Sequence, residues 1–235
     1  MDQDRGALRA LVLADGGRCS RRGLDASWRG WDDGVGLVVA ADGGVDLADA
    51  LGLTIQRWIG DGDSTSPERL AELATAGVHV TRLPEAKDES DTELAVLDAI
   101  DAGATEITIL GALGGPRLDH ALANVGLLAH PRLLDRPARL LSDEARVSLV
   151  AAPGPAGAVV DRSLRGRIGD LVSLLPVGEG VVGVTTRGLR YPLRDEPLPA
   201  GPARGLSNVR EAPDAGVSLR RGLLLVVETP ATLAR

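Results

Sequence analysis

Two aspartates one residue apart, Asp61 and Asp63, follow a short apolar run, and Gly60 and Gly62 beside them leave the backbone free to turn tightly. Carboxylates this close repel each other. A loop that crowds them at the end of a strand is therefore usually held by a divalent cation, or by hydrogen bonds that replace it. The pair indicates a metal-assisted reaction. For Asp63 the alternative is a cap of the loop before Pro67.

Four more carboxylates come at or shortly after the ends of apolar runs: Asp42, Asp88, Asp91 and Asp119. In an open α/β sheet the carboxyl ends of the strands lie along one edge, where ligands bind. We therefore expect these side chains and the Asp61 loop to contribute to one site. For Asp91 an alternative stays open, because the helix dipole also favours a carboxylate in the first turn of a helix.

Lys87 is the only lysine of the chain, against 25 arginines, and it lies within the acidic segment 85–91. An ammonium is a compact point charge that the planar fork of arginine does not reproduce. Lys87 is therefore a candidate for a site that needs a compact cation. The alternative is a solvated lysine that occurs there by chance.

Over the first 142 residues, short aliphatic runs alternate with helical patterns, which indicates βα units. The predicted fold class is α/β, with a mainly parallel N-terminal sheet that has helices on both faces. The predicted strands are 8–13, 36–41, 56–59, 78–83, 106–110 and 138–142. The predicted helices are 45–52, 67–76, 91–102 and 118–129.

From about residue 143 the pattern changes to short β-rich runs punctuated by glycine and proline, without a helical period. It predicts a C-terminal antiparallel β-sandwich, with strands at 146–151, 157–161, 170–175, 181–185, 217–220 and 223–228. The predicted domains are 1–142 and 143–235. The GxGxxG match at 178–183 is interpreted as strand, because it does not open a helix as a dinucleotide-binding turn does.

Composition argues against several other classes of protein. A net charge of −7 argues against nucleic acid as a partner, because that binding depends on concentrated Lys and Arg. No run reaches the roughly 20 apolar residues of a membrane span, and the first residues lack the pattern of a signal peptide. We expect no membrane partner and a cytoplasmic location. The single cysteine, Cys19, cannot form an internal disulfide and is expected to be a loop thiol.

In their order along the chain, these motifs resemble those of the thiamine pyrophosphokinase family. The matching segments are 41–44, 59–64, 87–93, 111–120, 188–193 and 205–208. The resemblance implies transfer of a diphosphate from ATP to the hydroxyl of thiamine, with AMP as the second product. It also implies an α/β catalytic domain, a thiamine-binding β-sandwich and a homodimer with its sites between subunits.

The resemblance also implies roles for the residues of the acidic half. Asp61, Asp63 and Asp91 would hold Mg²⁺, and Asp119 would orient or deprotonate the thiamine hydroxyl. Contacts to the nucleotide are implied for Asp42, Gly43, Gly44, Lys87, Asp88, Gly114, Gly115, Arg117 and His120. The glycine pairs would let backbone N–H groups approach phosphates, or they could be ordinary tight turns. His120 could equally be structural.

Thiamine carries a permanent positive charge and two flat rings, so its pocket needs an aromatic face and polar groups. The chain has no Phe, three Trp and one Tyr. Tyr191 is the candidate for stacking on thiamine, and Ser207 and Asn208 are the candidate polar contacts. The alternative for Tyr191 is a tyrosine in the core of the sandwich.

Two other functions stay open on the sequence. One is a related pyrophosphokinase that accepts another hydroxymethyl heterocycle, such as a pterin. The other is a non-catalytic sensor of a nucleotide or of thiamine diphosphate, in which the acidic loop is only a structural cation site.

Overall fold

The computed structural model describes residues 7–17, 19–152 and 159–233. The chain divides into two compact units, Met1–Asp143 and Glu144–Arg235. Within the described residues, every α-helix belongs to the first unit, and the second is built from β-strands with one short 3₁₀ helix. No helix in these ranges is long and apolar enough to cross a membrane.

The first unit contains a parallel sheet with the strand order β4-β3-β2-β1-β5-β6. The strand bounds are β1 Arg9–Leu13, β2 Val35–Ala41, β3 Arg57–Gly60, β4 His79–Arg82, β5 Glu106–Leu110 and β6 Ala138–Leu141. All the strands predicted for this unit are confirmed, with ends that differ by at most a residue. The chain order reverses at β1, so the ligand crevice of such a sheet is expected at the carboxyl ends of β1 and β5.

The α-helices of this unit are α1 Arg21–Ser27, α2 Gly44–Leu51, α3 Pro67–Thr75, α4 Asp91–Asp101 and α5 Leu118–Leu127, and a 3₁₀ helix spans Pro131–Leu133. Helices α2 to α5 confirm the prediction. The sequence does not predict α1, because Gly23 interrupts its pattern and Leu24 is its one fully buried residue. The start of α1 is fixed by Ser20, whose hydroxyl accepts a hydrogen bond from the Gly23 N–H at 3.0 Å.

Helices cover both faces of the parallel sheet, as predicted. Side chains alternate between the two faces along each strand. On one face, Leu13 and Trp58 belong to a buried cluster to which α1, α2 and α3 also contribute. Helix α4 packs against β1, β2 and β3 and buries Ala95, Val96 and Ile100, none of which belongs to that cluster. Helix α4 therefore covers the opposite face.

The second unit consists of antiparallel strands, which confirms the predicted class of its fold. Their bounds are β7 Arg146–Ala152, β8 Val160–Ser163, β9 Leu171–Arg187, β10 Glu196–Leu198, β11 Asn208–Val209, β12 Gly216–Leu219 and β13 Arg221–Thr229, with a 3₁₀ helix at Ala231–Leu233. The buried core of this unit includes Val172, Leu174, Val184, Val217, Leu219, Leu224 and Val226. Part of the predicted strand 157–161 lies outside the described residues.

Strand β9 is a single 17-residue strand, where the sequence predicts separate strands at 170–175 and 181–185. Its first part pairs with β13 and its last residues pair with β12. Gly178, Gly180 and Gly183 have φ values of 72°, 114° and 73°, which only glycine adopts readily. These residues let the strand bend and change partners instead of ending. The GxGxxG segment is therefore strand, as interpreted from the sequence.

Candidate active site

Asp42 lies directly after β2 with its side chain turned into the protein. Its φ is 41°, and its N–H donates to the Ile59 carbonyl at 2.9 Å. The indole N–H of the fully buried Trp58 donates to the Asp42 carbonyl at 3.0 Å. These contacts fix the backbone of Asp42 between β2 and β3, and the residue is only 5% exposed.

The two carboxylate oxygens of Asp42 differ in their surroundings. Oδ2 accepts a hydrogen bond from the Ser64 N–H at 3.2 Å. Oδ1 is buried and has no hydrogen-bond partner among the residues that the structure describes. Buried polar atoms are normally paired, so this carboxylate oxygen is available to a further partner. A cation fits that role.

Asp61, at the end of β3, is held by two donors. Its Oδ1 accepts from the Asp63 N–H at 3.1 Å, and its Oδ2 accepts from Lys87 Nζ at 2.8 Å. Lys87 Nζ also donates to the Pro84 carbonyl at 3.4 Å. The Lys87 side chain is only 11% exposed and contacts the acidic loop. This excludes the alternative that Lys87 is a solvated lysine.

Asp91 is the first residue of α4, whose N-cap Ser90 accepts a hydrogen bond from the Glu93 N–H at 3.1 Å. The Asp91 carboxylate lies 3.2 Å from Lys87 Nζ, as an ion pair without hydrogen-bond geometry. One oxygen each from Asp42, Asp61 and Asp91 lies within 4.8 Å of the others. We call this set the acidic group, and its all-oxygen donor set suits a hard divalent cation such as Mg²⁺.

Asp63 lies beside the acidic group and is not a member of it. Its carboxylate is exposed and accepts from the Ser64 hydroxyl at 2.9 Å. Of the predicted metal ligands, the structure thus brings Asp61 and Asp91 together, and it adds Asp42, which the sequence assigns to the nucleotide. Asp88 is exposed and also lies outside the group.

The carboxylates of this site have shifted pKa values. Burial, and then the neighbouring Asp63, raise the pKa of Asp42 to about 6. Burial also raises the pKa of Asp91, against the opposing effect of Lys87. The Lys87 ammonium lowers the pKa of Asp61, and Asp61 in turn raises the pKa of Lys87. Asp42 and Asp91, whose pKa values are raised, would thus both be favoured in their charged form by an additional positive charge nearby.

The glycine-rich loops after β1 and β5 pack directly on each other. The N–H groups of Gly16 and Gly17 both donate to the Gly111 carbonyl, at 2.8 and 2.7 Å. A Cβ on Gly17 would overlap the Leu113 carbonyl, and one on Gly115 would overlap the Gly16 carbonyl. None of the predicted site residues lies in the loop 14–17, although a glycine pair shortly after an apolar run is the signal that marks it.

The glycine pairs predicted to contact phosphate also have a role in packing. A Cβ on Gly44 would overlap the Leu13 carbonyl, so this glycine lets α2 approach β1 closely. A Cβ on Gly43 would overlap the Asp15 carboxylate. Gly114 instead has open space where its Cβ would lie and a φ of 84°, which leaves its backbone accessible at the turn.

Arg117, Asp119 and His120 lie at the start of α5 and are exposed. The Arg117 guanidinium makes a bidentate pair with Asp119, at 3.1 Å from Nε to Oδ1 and 2.7 Å from Nη2 to Oδ2. This hydrogen bonding lowers the pKa of Asp119 to about 2. The structure does not bring Asp119 into the acidic group, and a carboxylate this acidic is a weak base.

In the second unit, Tyr191 is 58% exposed, which contradicts the alternative of a core tyrosine. Asn208 is buried, and its side chain is bonded to the backbone of Tyr191. Ser207 has a φ of 55° and an exposed side chain, and its N–H donates to the Ser173 hydroxyl at 3.0 Å. The structure thus leaves Tyr191 and Ser207 accessible, whereas Asn208 holds the Tyr191 loop.

Two family models match the chain. The model for "Thiamin pyrophosphokinase, catalytic domain" matches residues 31–139, a range that contains the acidic group. The model for "Thiamin pyrophosphokinase, vitamin B1 binding domain" matches residues 159–224, a range that contains Tyr191, Ser207 and Asn208.

Two thiamine pyrophosphokinases are similar to the chain over long stretches. The thiamine pyrophosphokinase of Bacillus subtilis (strain 168) is 28% identical over 203 residues, which cover 85% of this chain and 90% of the relative. Thiamine pyrophosphokinase 1 of Oryza sativa subsp. japonica is 29% identical over 160 residues, which cover 65% of this chain and 58% of the relative.

Solved structures show the same fold. The crystal structure of the Bacillus subtilis thiamine pyrophosphokinase matches with a TM-score of 0.77 at 23% identity, covering 94% of this chain and 99% of that one. The thiamin pyrophosphokinase from Geobacillus thermodenitrificans matches with a TM-score of 0.75 at 25% identity, covering 97% and 100%. Because the two halves of the chain match two domains of one family and the fold agrees over nearly the whole length, the chain belongs to the thiamine pyrophosphokinase family.

Proposed function

We propose that this protein transfers a diphosphate group from Mg²⁺-bound ATP to the hydroxyl of thiamine, giving thiamine diphosphate and AMP. The observation that carries the proposal is the acidic group, in which the buried Oδ1 of Asp42 lacks a partner beside the carboxylates of Asp61 and Asp91. Family membership supplies the substrate class, since the second half of the chain matches a vitamin B1 binding domain.

In this proposal Asp42, Asp61 and Asp91 hold Mg²⁺, and Asp63 supports Asp61 through the bond from its N–H. A metal held by these carboxylates would supply positive charge to the triphosphate, which favours in-line attack on it. The turn at Gly114 and Gly115 offers backbone N–H groups to phosphate oxygens. These contacts position the nucleotide at the carboxyl edge of the parallel sheet.

Positive side chains complete the nucleotide contacts. Lys87 lies against the acidic group, and Arg117 lies at the start of α5 with His120 nearby in sequence. Asp119 would accept a hydrogen bond from the thiamine hydroxyl and orient it or take up its proton. Asp88, Gly43 and Gly44 complete the proposed nucleotide set.

The second unit would bind thiamine. Tyr191 offers an exposed aromatic face to the cationic ring system, and Ser207 offers a hydroxyl. Asn208 positions the Tyr191 backbone. We assign catalysis to residues 1–142 and thiamine binding with dimer formation to residues 143–235.

A homodimer is part of the proposal. Helix α5 exposes two leucines, Leu118 at 71% and Leu122 at 63%, and Asn124 is its one fully buried residue. Large apolar side chains next to each other on one exposed helix face support contact with a second protein surface. A second copy of the chain would cover them in a closed dimer, so that the first unit would add to the dimer contact assigned to residues 143–235.

The test is a product analysis. Purified protein is incubated with thiamine, ATP and MgCl₂, and the nucleotides and thiamine esters are separated by chromatography. We expect thiamine diphosphate and AMP in equal amounts, and neither product in excess EDTA. Thiamine monophosphate with ADP would contradict diphosphate transfer. A parallel reaction with a hydroxymethylpterin tests the related pyrophosphokinase, and no turnover of either substrate, despite nucleotide binding, would indicate a sensor.

A further inference from the structure

The ammonium of Lys87 lies among the carboxylates that form the acidic group. Its Nζ is 2.8 Å from Asp61 Oδ2 and 3.2 Å from Asp91 Oδ1. The side chain is 11% exposed, so solvent screens these contacts only in part. Lys87 therefore already neutralises part of the negative charge at the place where a divalent cation would bind.

Lys87 does not satisfy the whole group. Asp42, which is 5% exposed, keeps a buried Oδ1 without a partner in the described part of the chain, although this carboxylate belongs to the same group. A buried, unpaired carboxylate oxygen is unfavourable. Of these three carboxylates, the Lys87 ammonium pairs with Asp61 and Asp91 only. A cation that contacts all three carboxylates would satisfy the group more completely.

The two carboxylate oxygens of Asp61 have different partners, and this determines which oxygen a cation can bind. Oδ1 already accepts the Asp63 N–H, so the oxygen that faces the ammonium is Oδ2. A divalent cation bound to Asp61 and Asp91 would lie within a few ångström of Lys87 Nζ, where two like charges repel strongly at low dielectric. Simultaneous occupation is therefore unfavourable.

We propose that Lys87 is a displaceable counter-ion of the acidic group. The divalent cation takes the carboxylates of Asp61 and Asp91 and expels the ammonium, which then binds a phosphate oxygen of the nucleotide. The inference rests on the proposed function and adds to it that binding of the cation and binding of the nucleotide are coupled. Cation and nucleotide strengthen each other's binding, because each favours the state in which Lys87 has left the carboxylates.

The single lysine makes the displacement directly observable. Protein grown with ¹³C,¹⁵N-lysine carries one labelled side chain, so its NMR signal belongs to Lys87 alone. MgCl₂ is titrated without nucleotide, with NaCl adjusted to keep the ionic strength constant, and binding is measured in parallel by calorimetry. We expect the Lys87 side-chain resonance to shift with the same midpoint as the heat of Mg²⁺ binding.

Two results would overturn the exchange. One is that Mg²⁺ binding releases or absorbs heat while the Lys87 resonance stays unchanged. This would mean that Mg²⁺ and the Lys87 ammonium bind the acidic group at the same time. The other is no binding of Mg²⁺ without nucleotide. Turnover of the same preparation separates this inference from the proposed function. Product formation with an unmoved resonance contradicts only the exchange, whereas a moved resonance without thiamine diphosphate contradicts only the function.

A variant gives an independent readout. Lys87→Gln removes the competing charge, so Mg²⁺ alone should bind about fivefold more tightly than to the wild type. The cation should also enhance nucleotide binding less in this variant. The matched control is Arg57→Gln, which breaks the 2.5 Å pair with Asp98 elsewhere in the first unit and should leave Mg²⁺ affinity unchanged. Equal affinities in wild type and Lys87→Gln would overturn the proposal.

Discussion

Asn208 and Tyr191 are joined by two hydrogen bonds between a side chain and a backbone. The Asn208 Oδ1 accepts from the Tyr191 N–H at 2.9 Å, and its Nδ2 donates to the Tyr191 carbonyl at 2.7 Å. The same Oδ1 also accepts from the Val209 N–H at 2.9 Å. The amide of Asn208 thus fixes the loop that presents the exposed Tyr191 ring, so its contribution to a thiamine pocket is to position another residue.

The first prediction concerns this contact. Asn208→Ala removes the side-chain partner of partly buried backbone groups of Tyr191 and Val209, so we expect a loss of about 1–3 kcal/mol in the free energy of unfolding, measured in urea. We also expect a higher KM for thiamine, because the Tyr191 loop is no longer fixed. Ser207→Ala is the control, since its side chain is exposed and its N–H can still reach Ser173. Equal stability of the two variants would contradict the positioning role.

The second prediction concerns the Tyr191 ring. Tyr191→Ala should raise the KM for thiamine roughly fivefold to thirtyfold, because it removes a cation–π surface worth about 1–2 kcal/mol when desolvated. The KM for ATP should stay within about twofold of wild type, since the nucleotide is proposed to bind at the acidic group. Tyr191→Phe, which keeps the aromatic face, serves as the control. Parallel increases in both KM values would indicate a general structural effect.

The approximate location of the acidic residues follows from the sequence, because the carboxyl ends of parallel strands share one edge of the sheet. That rule places the loops after β2, β3 and β4 near one another, and the apolar runs give those strands to within a residue. The rule does not give the direction of each side chain. A φ of 41° turns Asp42 inward, and no sequence pattern distinguishes it from the exposed Asp63.

The remaining differences between prediction and structure come from elements with few apolar residues or with unusual backbone. Helix α1 contains Gly23 and only one fully buried residue, so it has no readable helical pattern. Strand β9 contains glycines that usually signal a turn, yet here their positive φ values serve a bend within one strand. Asn208 is a residue type that often contacts ligands. Only the structure shows that its side-chain amide is hydrogen-bonded to the backbone of Tyr191.

The third prediction compares Asp61 with Asp63. Asp61→Asn replaces a member of the acidic group by a neutral amide, which binds Mg²⁺ poorly, so turnover should fall by well over about 100-fold. Asp63→Asn changes a neighbour of the group and keeps the N–H that binds Asp61, so we expect a loss of about 10–100-fold, typical of residues that support a metal ligand. Steady-state rates at saturating MgCl₂ check this order. A larger loss of turnover in Asp63→Asn than in Asp61→Asn would indicate that Asp63 is itself a direct metal ligand.

The fourth prediction uses the pKa of Asp42, which burial and Asp63 raise from 3.8 to about 6. An acid with a raised pKa in the folded state binds its proton more tightly there than in the unfolded chain. The protein without metal therefore loses stability as the pH rises from about 4 to about 6, by about 3 kcal/mol. Asp42→Asn resembles the protonated acid and should not show this loss.

Urea unfolding in EDTA at pH 4 to 7 measures the effect, and Asp42→Asn should become increasingly more stable than the wild type towards pH 7. Adding Mg²⁺ at pH 7 should reverse the order, because the cation binds the ionised wild-type group and stabilises its folded state by mass action. Asp119→Asn is the control: the pKa of that carboxyl is lowered to about 2, so its removal should not produce a gain in stability towards neutral pH. A constant difference between wild type and Asp42→Asn across this range would show that Asp42 is not the strained carboxylate of the site, and the cation would then have to be held mainly by Asp61 and Asp91.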